Sequence, residues 1–222
     1  FIILFFILRP FTALIRYGAL KVMKMFRHPF DERPAMAASD HLLNEIIMPS
    51  VFNTFKDGEF RELARFKKLP VAEHDRIFNE LEVSGVCLAS FYLRLIKPCD
   101  LEDYHFWQDT EYQLPKQLQK TLMGYGVSSS NAKLMKQLID MRRKEYEEIA
   151  EKVWDASENQ KPDFRDMPPD LKHFAALIQA TAVGTTDHIR RGKIQAGDPL
   201  IKLMVDWLIA LKRKVEKFVK HL

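Results

Sequence analysis

Two short spacings in this 222-residue chain have the residue types of a metal site. Glu102-x-x-His105 and Asp170-x-x-His173 each set a carboxylate and an imidazole three residues apart, which on a helix means one face. Helical di-metal proteins use a Glu-x-x-His pair on each of two helices and a further Glu from each of two others. Glu45 and Glu80 fall on other predicted helices and would complete such a set. A plainer reading competes with it. Both pairs sit in the first turn of a predicted helix, where acids cap backbone N–H groups and face the positive end of the dipole. With 30 acids and seven histidines, loose matches also arise by chance. The expectation is therefore no metal and no cofactor, with Glu102, His105, Asp170 and His173 as the alternative set.

A second cluster is Asp187-His188 followed by Arg190 and Arg191, in a stretch read as a loop. Binding groups favour loops, and an arginine pair could hold a phosphate or carboxylate, so Arg190 and Arg191 are the candidate anion-binding residues. A solvated charged loop explains the same residues. His74, between Glu73 and Asp75, reads as a surface residue, and His41 beside Asp40 as structural. Cys87 lies in an apolar helical run and should be an inert core thiol. Cys99, at a helix start, has no His fixed beside it. Two cysteines make no disulfide framework and no zinc spacing. No Gly-x-Ser-x-Gly elbow, phosphate-binding Walker loop or dinucleotide glycine fingerprint occurs. No catalytic residue is assigned, and the chain reads as leaning away from an enzyme.

The elements that would position these groups are all helical by periodicity, with no run of strand alternation. Residues 29–38, with two prolines and the first acids, read as a hinge. A helix is predicted from near Ser39 or Asp40, kinked or ended at Pro49. A short helix enters through Asp57-Gly58, and a strong one spans about 71–96. The small residues Ser84, Gly85, Ala89 and Ser90 should let a neighbour approach that helix closely. The next helix, from Asp100, is interrupted at Pro115. A polar helix over about 130–157 carries "MRRKEYEEIAEKVW", read as a salt-bridged solvent face or as a partner-binding helix with Tyr146, Ile149, Val153 and Trp154 as its apolar edge. A sixth helix covers about 169–183. The last begins at Asp198-Pro199, an N-cap and N1 pair. The expected architecture is all-α: an irregular bundle of six to seven helices, several of them proline-kinked, with a globular domain over 39–222.

Residues 1–28 differ from the rest. "FIILFFIL" is eight consecutive apolar residues, and Arg9, Arg16, Lys21, Lys24 and Arg27 follow with no acid before Asp31. These five cations exceed the whole chain's net charge of +4, so the remainder carries no positive excess and does not read as a nucleic-acid surface. On a helical wheel Phe11, Val22 and Phe26 gather opposite Arg16, Lys21, Lys24 and Arg27, the pattern of a helix at an anionic membrane surface. Eight residues are too few to cross a bilayer. The run reads as an interfacial segment, or as the end of a longer apolar stretch. Cations after the apolar run are the wrong order for a signal peptide and place the body on the cytoplasmic or mitochondrial matrix side.

Three functions follow as expectations. The first is a non-catalytic, membrane-associated subunit or scaffold docking other proteins of a membrane complex. Its contact residues are Phe1, Phe5, Phe6, Arg9, Phe11, Arg16, Lys21, Val22, Lys24, Phe26 and Arg27. The second is a helical module for a lipid or other apolar ligand. The third is a helical-bundle metalloenzyme.

Overall fold

The computed structural model describes residues 33–96, 101–158 and 169–222. The N-terminal helix of the sequence reading, Asp100, Cys99 and the side chain of Asp170 lie outside the described residues. Among those described are seven helices and no strand. We number them α1 (Arg33–His41, Leu42–Ile47 and Met48–Lys56, one continuous run), α2 (Gly58–Leu63), α3 (Val71–Leu95), α4 (Leu101–Gly124), α5 (Ser129–Glu158), α6 (Pro169–Ile189) and α7 (Pro199–His221). The all-α expectation holds.

α1 starts at Arg33, so the last part of the predicted hinge is helical. Pro34 falls in the first turn, where no backbone N–H is required, so it starts a helix as readily as it breaks one. Pro49 does not end α1 either. Residues Leu42–Ile47 widen into a π-helical turn, and Met48 donates its N–H to the carbonyl of Leu43, five residues back. A wide turn just before Pro49 makes room for a ring that would otherwise strike the carbonyl four residues earlier. α4 likewise runs unbroken through buried Pro115. The proline removes one helical bond, and packing of α4 against α1, α3 and α5 offsets that loss. Asp198 caps as read, accepting from the Leu200 N–H at 3.0 Å, and Asp57, where the short helix is entered, accepts from the Phe60 N–H at 2.9 Å.

α3 is the central element, touching α1 and α4 to α7. From Glu80 to Phe91 every residue is buried. α1 and α7 run antiparallel beside it: His41 stacks on Phe218 at 5.0 Å, and Trp207 Nε1 donates to Ser50 Oγ at 3.1 Å. Gly85 is the close approach that the small residues predicted. A Cβ there would stand 3.0 Å from Ile47 and 3.5 Å from Leu211.

Two expectations are corrected here. α6 continues to Ile189, because Gly184 is not a break but a space filled by the Tyr146 ring. Thr185 and Thr186 settle into the helix by donating to the carbonyls of Thr181 and Ala182. Within "MRRKEYEEIAEKVW" Lys144, Glu148, Glu151 and Lys152 are exposed, while Tyr146, read as an apolar edge for a partner, is fully buried within this chain. A Cβ on Gly184 would lie 2.8 Å from Tyr146 Cδ1, so Gly184→Ala should destabilise the protein by about 1–3 kcal/mol. Gly124→Ala, which meets no atom within 4 Å, should be neutral or stabilising. Urea denaturation of both variants checks the contrast.

Candidate functional site

The densest array of polar side chains lies where α3, α5 and α6 meet. Its floor is three hydroxyls. Ser84 Oγ is 2.6 Å from Thr185 Oγ1 and 3.3 Å from the Tyr146 hydroxyl, all buried. Burial pushes the Tyr146 hydroxyl well above the usual range, so it stays protonated. Above the floor, Arg142 forks onto both oxygens of buried Glu80, at 2.9 and 3.2 Å, and reaches Glu145 at 3.1 Å. Burial works against its charge, and the Glu80 carboxylate more than restores it. Glu145 also meets His188 Nε2 at 2.9 Å.

One turn outward, Arg76 donates to the carbonyls of His188 and Ile189 at 2.7 and 3.1 Å, capping the end of α6. Arg76 also bonds Glu73 at 3.0 Å, and Arg191 forks onto the same carboxylate. The Arg191 guanidinium, then that of Arg76, hold Glu73 down to about 2. Arg190 turns the other way and clamps Asp198 through two bonds, at 2.8 and 3.1 Å. Those bonds lower the Asp198 carboxyl below its ordinary range.

Arg190 and Arg191 therefore diverge, each on a carboxylate of this chain. His188 is in the last turn of α6 and not in a loop. A carboxylate on every guanidinium makes the array an electrostatic cross-link, tying α6 and the following loop to α3 and α5. Proton transfer or anion capture would require one of these pairs to open.

Glu102, His105 and His173 are exposed, Glu80 belongs to Arg142, and Glu45 is on the π turn of α1. Among the described residues no three His, Cys, Asp or Glu side chains converge as a metal-holding group. His74 is not a plain surface residue: it stacks on Phe66 at 4.5 Å, with Nε2 3.0 Å from the Phe66 carbonyl oxygen. Cys87 is buried, and burial raises its thiol far above the reactive range. A groove of about 250 Å³ between α3 and α4 is lined by Leu93, Ile96, Trp107, Arg94, Gln108 and Glu111. A wider one of about 560 Å³, between α1 and α7, includes Asp57, Glu59 and Asp206 and opens to solvent. Both mix charge with grease.

Sequence reasoning passed over Glu82. It is wholly inaccessible and neither oxygen has a hydrogen-bond partner. Burial raises its carboxyl to about 8. The signal was a lone acid in the apolar run from Leu81 to Phe91. Comparison with family models, with curated proteins and with solved structures finds no match.

Two stability measurements follow. Arg142→Met leaves Glu80 buried and unpaired and should cost about 3–5 kcal/mol, most of it recovered when Glu80→Leu is added. For Glu82 the folded state holds a proton that the unfolded chain releases above about 4.5, so stability falls as pH rises from there to about 8. Glu82→Gln removes that slope. The variant should match the parent near pH 4.5 and exceed it by about 3 kcal/mol at pH 7, in urea titrations at both pH values.

Proposed function

We propose that this protein is a non-catalytic, membrane-associated helical subunit, anchored through residues 1–28 and presenting its helical body to partner proteins on the cytoplasmic or matrix side. The carrying observation is the charge distribution. The opening 30 residues hold an eight-residue apolar run and five cations without an acid. Apolar side chains bury in the acyl boundary while cations meet anionic headgroups, each adding about 1 kcal/mol near the surface.

Within the body, the ionisable groups at the meeting of α3, α5 and α6 neutralise one another, which favours a structural role for them over a catalytic one. No helix among the described residues is long and apolar enough to cross a membrane. Exposed Tyr112, Tyr125, Leu134 and Met141, each about 60% accessible or more, offer apolar contacts to a protein partner. Large apolar and aromatic residues of this kind are the usual anchors of protein interfaces.

Flotation of the full chain with phosphatidylcholine vesicles, with and without phosphatidylserine, tests the anchor. The protein should float with anionic vesicles and remain in the bottom fraction once residues 1–28 are deleted. A full chain that stays at the bottom with both vesicle types, or a deletion that floats equally well, contradicts the reading.

A further inference from the structure

We propose that the C-terminal half of α7 is a headgroup-binding face, seating one end of the bundle on an anionic bilayer beside the opening segment. The inference rests on the anchoring reading and names the surface of the folded body that shares in it.

Along the exposed side of α7 the charge changes halfway. In the first half Lys202 pairs with Asp206 at 3.3 Å, and the next exposed residue is Ala210. From Lys212 to His221 the chain holds five lysines and arginines and one acid, Glu216. That carboxylate is taken by Lys212 at 2.6 Å and Lys220 at 2.8 Å. Arg213, Lys214 and Lys217 are exposed and have no carboxylate partner among the described residues. At about 100° per residue they fall on one arc of the helix, facing away from buried Leu211, Val215 and Phe218.

Helix stability does not account for these cations. The dipole favours positive charge within the last turn, which covers Lys220 and His221, but Arg213 and Lys214 lie two turns before the end. Arg213 and Lys217, four residues apart, repel each other and weaken the helix slightly. An external anion is what such a cluster suits.

Position says which anion. α1 and α7 are antiparallel, with His41 on Phe218 and Ser50 on Trp207. Arg33 lies eight residues, about 12 Å, before His41, which puts the start of α1 and the end of α7 at the same end of the bundle. The opening segment, apolar and without an acid up to Phe30, connects to Arg33 through Asp31 and Glu32. A basic cluster next to an apolar anchoring segment is the arrangement that anionic lipid attracts.

The experiment is partitioning of the full chain onto vesicles containing about 30% phosphatidylserine, and onto pure phosphatidylcholine, with thermal unfolding run alongside. Removing Arg213, Lys214 and Lys217 together (each →Gln) should weaken binding to anionic vesicles on the order of 100-fold, at unchanged unfolding temperature. Removing three exposed cations at the opposite end (Lys67→Gln, Lys68→Gln, Lys193→Gln) should change it less than fivefold. Equal losses in the two triple variants, or no loss in the first, overturn the inference while leaving the anchor standing. The second result would assign the cluster to an acidic protein or a nucleic acid instead. A parent protein that binds neither vesicle overturns both.

Discussion

A charge taken into the interior of a protein must meet its opposite there. Glu80 is the carboxylate that α3 brings into the core, and Arg142 of α5 is the guanidinium that answers it. Because the fork has two bonds of fixed geometry, it sets both the rotation and the height of α5 against α3. α6 is brought to the same level from below by Thr185 on Ser84, and from above by His188 on Glu145. The Tyr146 ring then fills the space left by Gly184. Ionic, hydroxyl and steric contacts agree on one register for three helices.

The same requirement organises the rest of the body. Arg76 and Arg191 converge on Glu73, Arg190 takes Asp198, and Arg94 and Arg143 share Glu111. Two departures stand out. Glu82 is buried with no partner and escapes the cost of a naked charge by keeping its proton. The cations on the outer face of α7 are exposed and have no carboxylate partner among the described residues. Exposed cations without a carboxylate partner among the described residues lie at both ends of the bundle, Arg213, Lys214 and Lys217 at one and Lys67, Lys68 and Lys193 at the other.

Much of this was legible beforehand because periodicity and capping are local. Asp198 caps as its place before Pro199 implies, and the short helix is entered at Asp57 as read. What was misread depended on partners distant in sequence. Gly184 looks like a helix end until Tyr146, 38 residues earlier, is found filling its Cβ position. Arg142 looks solvent-facing in a string of charges and Tyr146 looks like an edge for a partner, because nothing nearby shows that Glu80 and Ser84 await them. The arginine pair at 190–191 looks like an anion cradle because Glu73 lies far back in the chain. Pro49 and Pro115 read as breaks in the local sequence, yet a π turn and tertiary packing accommodate them.

The C-terminal end of α7, with Arg213, Lys214 and Lys217 exposed, is the proposed contact with a lipid surface. Hydrogen–deuterium exchange of the full chain, with and without phosphatidylserine-containing vesicles, tests it most directly. Slower exchange at the start of α1 and across the last three turns of α7, with the loop at 190–198 and the turn at 64–70 unchanged, is the predicted result. Protection confined to that loop and turn, or no change anywhere in the body, would contradict it.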